Sequence, residues 1–159
     1  MTSIDTFLAT AGGLGHVPGL PGTAGALAGL VVAMALARLG LPWRTGAAIL
    51  LVLLAIPVCE HGARAFGGDD RRIVADELLA LPVATVALSL TGRPFRLAAV
   101  FATSRIMDGL KPPPARLAAA RGGGVGIVLD DVVANIWTLF LWMLGVRWHE
   151  RWRRRRPAE

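Results

Sequence analysis

Arg105-Ile106-Met107-Asp108-Gly109-Leu110-Lys111-Pro112-Pro113-Pro114 opens the stretch on which the reading of this chain turns, and Gly122-Gly123-Gly124-Val125-Gly126-Ile127-Val128-Leu129-Asp130-Asp131 closes it. Carboxylates, cations, a proline stop and a glycine-rich loop crowd together here in an otherwise oily chain. Aspartate oxygens suit a hard cation such as Mg²⁺, which is usually held by one or two carboxylates plus a substrate phosphate. Guanidinium and ammonium groups suit the phosphate itself. A metal and a phosphate are therefore the pair of ligands this concentration of charge fits. Arg105 and Asp108 are three apart on one helix face, so the two can also simply pair. Lys111 stands just before the proline triplet, where the helix must end.

Working outward, Asp130-Asp131 head an apolar run, 132–145, much as Asp76-Glu77 head another, 78–92. Two acidic pairs at the heads of two apolar helices form a candidate shared metal site. Adjacent helical residues point about 100° apart, and acids set among apolar spans are functional by default. The competing reading is a charged helix start favoured by the macrodipole. Asp69-Asp70 reads as a solvated loop. Further back, Gly12-Gly13-Leu14-Gly15-His16-Val17-Pro18-Gly19-Leu20-Pro21-Gly22-Thr23-Ala24-Gly25 leads directly into a helix. Glycines let backbone N–H groups approach an anion, and a helix N-terminus favours negative charge. Thr23 is placed as an N-cap or a phosphate donor. No Gly-Lys-Ser/Thr ending follows, which excludes a nucleotide P-loop. Gly25 and Gly29 are spaced for a small-residue helix contact. His16 has no second ligand at metal spacing and reads as a loop residue.

The rest of the chain sets the class. Its 159 residues suggest one domain, with hydrophobic content of 54% and a mean hydropathy of +0.55; charged residues are 18%, against about 25% in soluble chains. Apolar runs fill 23–37, 45–59, 78–92, 97–104 (within a helix expected over 95–107) and 132–145. They lack period-2 alternation and are rich in Ala and Leu, so they predict helices and an all-α fold. Pro57 and Pro82 are expected to bend or end two of them. Each main run is about 15 residues, short of the roughly 20 wanted for a span. Total hydrophobicity and a belt of Trp137, Trp142, Trp148 and Trp152 nonetheless favour a membrane bundle over a soluble one. If all five runs cross, every charged cluster lands on one side and the arginine tail on the other. A cytoplasmic site would then run against the positive-inside rule. The predicted division is a helical catalytic domain over 1–146 and a basic tail over 147–159, whose six arginines and two glutamates leave only +2 of the net +6 to the domain. A basic tail with interleaved Trp fits a membrane surface, and nothing else supports nucleic-acid binding. The lone Cys59 excludes an internal disulfide framework. No basic stretch precedes the first apolar run, so no cleavable leader is expected.

In their order, these pieces resemble phosphatidylglycerophosphatase A, a family of Mg²⁺-dependent lipid phosphatases. The matching pieces are Pro21-Gly22-Thr23-Ala24-Gly25, Ile73-Val74-Ala75-Asp76-Glu77, the stretch from Arg105 to Pro114, and Gly123 to Asp131. The family usually has glycine where Ala80 and Asn135 stand, and an aromatic residue where Ser104 stands. The resemblance implies a compact all-α, multi-pass membrane bundle at the bacterial inner membrane, with its site on the cytoplasmic face. It implies a phospholipid substrate, phosphatidylglycerophosphate, hydrolysed to phosphatidylglycerol with Mg²⁺ as cofactor. By the same resemblance Asp76, Glu77, Asp130 and Asp131 would hold the metal, and Asp108, Asp131 and Glu77 would be catalytic, Asp108 as ligand or general base. Arg105, Lys111 and the backbone at Gly22 and Thr23 would hold the phosphate. A CDP-alcohol phosphotransferase expects two residues between Asp-Gly and Ala-Arg. Here Asp108-Gly109 and Ala115-Arg116 are separated by five, three of them proline, and the match fails. The remaining alternative is a non-enzymatic transporter or assembly protein using buried acids as a cation path.

Overall fold

The computed structural model describes residues 3–88 and 93–155, without the side chains of Ser3 and Arg155. The end of the third apolar run (89–92) and the last four tail residues (156–159) lie outside the described residues, as do Met1 and Thr2. The described residues form an all-helical bundle: α1 Ser3–Ala9, a 3-10 turn Leu14–His16, α2 Pro21–Leu36, α3 Leu41–Phe66, α4 Ala75–Thr85, α5 Pro94–Leu110, α6 Ala115–Ala119 and α7 Gly123–Arg155.

Local chemistry sets most of the ends. Pro21 and Pro94 start α2 and α5, where the missing N–H costs nothing. Gly67, at φ 81°, closes α3 in the left-handed conformation that glycine adopts freely. Lys111 closes α5 at φ 46°, because the following proline bars it from the helical region.

Helix α4 is the buried centre, packed between α2, α3 and α7. Its approach to α2 depends on glycine. A methyl group on Gly25 would stand 2.8 Å from Val74, and one on Gly29 would stand 2.6 Å from the Leu78 carbonyl oxygen. The small-residue contact read from this spacing is thus the α2–α4 interface. Ala9, Ala55, Cys59, Ile73, Ala75 and Val128 form the core beneath the acid-bearing end of α4. Ala84, Leu88 and Val100 form a second core at the other end.

Among the described residues two helices, α3 and α7, are long and apolar enough to cross a bilayer. Both expose large apolar side chains, among them Ile49, Leu50 and Leu53 on α3 and Ile136, Phe140 and Leu144 on α7. Such a surface is stable against lipid and costly in water. Of the five runs supposed to cross, the third forms the short helix α4. At 11 residues, α4 is too short and buries Ala80, Leu81 and Ala84 in protein. Two boundaries also differ from the sequence reading. Helix α3 continues through Pro57 to Phe66, and α7 starts at Gly123 and runs unbroken past Gly145.

Candidate active site

The start of α4 is fixed by a bond from the Val74 N–H to the Ala9 carbonyl, 3.0 Å long. This presents Asp76 and Glu77 in the first turn of α4. Asp131 arrives from α7, two turns inside that helix. One carboxylate oxygen from each of the three residues lies within 4.8 Å of the other two. Asp76 Oδ1 and Glu77 Oε2 are buried without a hydrogen-bond partner. Burial, with the charges of Glu77 and Asp131, pushes the Asp76 carboxyl well above its ordinary range. Burial also raises Glu77, while Asp76 and Arg105 draw it back. Three crowded acids cannot all stay ionised unaided. A small hard cation fits this donor set: it prefers carboxylate oxygens and would satisfy both orphaned atoms.

The first turn of α2 lies directly over this cluster. Leu20 is its N-cap, with no side-chain capping bond, and Ala24 is the first residue to bond back, to the Leu20 carbonyl. The N–H groups of Gly22 and Thr23 are therefore unclaimed first-turn donors. Gly22 is so close that a methyl group there would strike Glu77 Oε1 and lie 3.4 Å from Arg105 Nη2. Thr23, expected as an N-cap, is instead in the first turn, because Pro21 starts the helix two residues earlier. Unclaimed N–H groups and a guanidinium beside a metal-type cluster form a cradle for a phosphate.

A cleft of about 380 Å³ opens from the acids and is lined by Asp69, Asp70, Asp108, Lys111 and Asp130, among others. Arg105 and Lys111 already hold carboxylates, while Arg71 lines the cleft without an ion pair to any described residue. Arg105 Nη2 donates to Asp108 Oδ2 at 2.7 Å. Lys111 donates to Asp130, whose carboxylate raises the lysine's pKa. Asp130, expected as a fourth metal ligand, lies in the cleft but outside the three-acid cluster. Consecutive helical residues point about 100° apart, so Asp131 meets α4 while Asp130 meets Lys111. Nor do Asp130 and Asp131 head a helix, because α7 begins seven residues before Asp130.

Other participants went unread in the sequence. Glu60 of α3 accepts a 2.7 Å bond from the Gly124 N–H at the start of α7. Gly124 itself packs on Ile56 and Glu60. This clamp lets a glycine-rich segment begin a helix, two turns before Asp131. Only its Arg64 partner, four residues on, has a visible spacing. Ser104 Oγ donates at 2.7 Å to Asn135 Oδ1, whose Nδ2 donates to the Asp131 carbonyl at 2.9 Å. Two of the three residues departing from the family's pattern thus meet in the interior. They tie the turn before Arg105 to the turn after Asp131. Asp70, expected as solvated loop, is ordered by bonds from Arg72 that pull its carboxyl down to about 2. Arg72 lies 4.1 Å over the Phe66 ring.

A family model described as Phosphatidylglycerophosphatase A matches residues 7–146. A relative from Bacteroides thetaiotaomicron, provisionally named a phosphatidylinositol-3-phosphatase, is 32% identical over 89% of this chain and 96% of its own. Proteins named phosphatidylglycerophosphatase A from Escherichia coli K12 and Haemophilus influenzae Rd are 32% and 33% identical, over 89% and 86% of this chain and 83% and 89% of theirs. No solved structure matches.

Proposed function

The chain belongs to the phosphatidylglycerophosphatase A family, and from that premise we propose that it hydrolyses phosphatidylglycerophosphate to phosphatidylglycerol and inorganic phosphate, with Mg²⁺ as cofactor. As a member it is a phosphatase of the membrane. Its buried acids therefore need no transport role to explain them. The observation that carries the proposal is the trio Asp76, Glu77 and Asp131, with two orphaned buried oxygens, beneath the unclaimed N–H groups of Gly22 and Thr23. In this reading the trio holds Mg²⁺, which when bound would neutralise phosphate charge and lower the pKa of a coordinated water. The chain's own groups do the remaining work. Gly22 and Thr23 N–H and Arg105 hold the phosphate oxygens. Asp108, paired with Arg105 at the edge of the cleft, supplies or accepts the proton. Lys111 holds Asp130 and adds positive charge beside the phosphate. The bond between phosphorus and the glycerol oxygen breaks, and that oxygen takes up a proton. Water supplies the oxygen found in the released phosphate. The exposed apolar faces of α3 and α7 keep the acyl chains in lipid. We place the protein at the bacterial inner membrane with this end at the cytoplasmic surface.

The test is phosphate release from phosphatidylglycerophosphate in mixed micelles, with Mg²⁺ and after chelation. The expected result is metal-dependent release, with loss in Asp131→Asn. Metal-independent release, or full activity in that variant, rejects the trio. The Bacteroides relative's name makes phosphatidylinositol 3-phosphate the competing substrate. Faster release from that lipid would replace the head group while leaving the site in place.

A further inference from the structure

We propose that the arginine-lined cleft between the start of α5 and the end of α7 is a second, non-catalytic site for the phosphate of an anionic phospholipid, in the leaflet opposite the active site. The cleft is about 700 Å³ and is lined by Arg93, Arg96 and Thr103 of the α5 side and by Trp142, His149 and Arg153 of α7. Among the described residues Glu150 is the one carboxylate on its wall. None of the three arginines makes an ion pair with a described residue. The wall is built as well as charged: Trp142 Nε1 donates at 3.2 Å to Thr103 Oγ1, which in turn donates to the Ala99 carbonyl at 2.8 Å. This fixes the indole beside the arginines, in the arrangement of an interfacial aromatic anchor.

Position selects the ligand. From Asp131 to His149 the α7 axis rises about 27 Å, close to the ~30 Å thickness of a bilayer's hydrocarbon core. If the acids stand at one membrane surface, the cleft stands at the other. Trp43, at the start of α3, and Trp148 and Trp152 on α7 are exposed at this same end. A cleft of unpaired guanidiniums at headgroup depth, beside lipid-facing helix surfaces, matches a phosphodiester whose acyl chains lie along α7. Basic pockets between helices hold anionic headgroups by this chemistry. A soluble phosphate shares the charge but lacks the acyl chains.

The experiment uses the full chain in detergent with equal phosphatidylglycerol and phosphatidylcholine, and native mass spectrometry to count retained lipids. Phosphatidylglycerol should be retained over phosphatidylcholine. Joint replacement of Arg93, Arg96 and Arg153 by Gln should weaken that retention on the order of a hundredfold, at about fivefold per arginine. Phosphatase turnover in mixed micelles without added phosphatidylglycerol and the melting midpoint should stay as in the parent. The matching Lys triple should keep most of the retention, and Asp131→Asn should keep all of it, separating this site from the catalytic one. The proposal is overturned if the Gln triple retains phosphatidylglycerol as the parent does. It is equally overturned if phosphatidylcholine is held as tightly, or if excess inorganic phosphate displaces the lipid.

Discussion

Gly22→Ala tests whether the α2 start and the three acids form one site. A methyl group at Gly22 collides with Glu77 Oε1 and meets Arg105 Nη2 at 3.4 Å, a tight but ordinary contact. To regain van der Waals separation the Glu77 carboxylate must retreat by about 1 Å, or α2 must lift by as much. A 1 Å misplacement at a reacting centre costs about a hundredfold in rate, or roughly 2.7 kcal/mol of barrier. Folding should change far less. Alanine is favoured over helical glycine by about 0.5–1 kcal/mol, which offsets much of an overpacking cost of about 1–3 kcal/mol. The control is Gly25→Ala, one turn further on, whose methyl group meets Val74 at 2.8 Å and touches no carboxylate. It should lower stability without a comparable loss of turnover. The assay is phosphate release from phosphatidylglycerophosphate, with melting followed by tryptophan fluorescence. A folded Gly22→Ala protein within threefold of parental turnover would refute the reasoning. So would a Gly25→Ala protein that loses the same factor.

Asp131→Asn should abolish binding of Mn²⁺, read by its paramagnetic resonance signal, and cut turnover at least a hundredfold; undiminished Mn²⁺ binding would remove Asp131 from the cluster. Ser104→Ala strands the buried Asn135 oxygen and should cost about 1–3 kcal/mol. The Ser104→Ala, Asn135→Ala double variant should then cost less than the two single changes summed, and strict additivity of the melting data would deny the pairing. Asp70→Asn should cost little at neutral pH, since the pair with Arg72 is partly exposed. Asp70 is depressed from 3.8 to about 2. Its contribution is therefore present above the unfolded value and is lost as pH falls toward 2. The gap in melting midpoint between parent and variant should close over that window, and a gap that widens there would contradict the assignment.

The helices were legible because Ala- and Leu-rich runs without alternation have one economical structure. Their ends were less so, and the errors have a common cause. The reading stopped α3 short of Phe66, yet the helix runs on through Pro57 and past the charged Glu60 and Arg64, held by packing on α1, α4 and α7. It started α7 after Asp131, yet the helix begins at Gly123, because Glu60 takes up the Gly124 N–H from 64 positions away. Local propensity carries no trace of such a partner. The same limit governs the site. Asp76, Glu77 and Asp131 could be nominated because acids are scarce among apolar runs. Which of Asp130 and Asp131 would turn toward α4 depends on the phase of α7, and that phase is set by where the helix starts. Ser104 and Asn135 are each unremarkable alone and acquire meaning only as a buried pair.

The charges at the site lead to one more prediction. Asp76, Glu77, Asp108, Asp130 and Asp131 stand against Arg105 and Lys111, both engaged, while Asp69 and Asp70 at the rim are offset by Arg71 and Arg72. The deficit is three charges when every acid is ionised. One divalent ion reduces it to one, and an incoming phosphomonoester, carrying up to two more, restores it. The metal-free site should therefore repel the very group that Gly22 and Thr23 are placed to hold. Linkage makes this measurable, because phosphate and the ion must strengthen each other's binding by the same factor. Phosphate affinity, taken from competitive inhibition of lipid hydrolysis as Mg²⁺ is titrated and from direct calorimetry on the chelated protein, should rise at least tenfold with the ion. Mg²⁺ affinity should rise by a matching factor with phosphate present. Equal phosphate affinity with and without the ion would mean that the trio and the α2 turn do not share a ligand, and the charge argument for a joint site would fail.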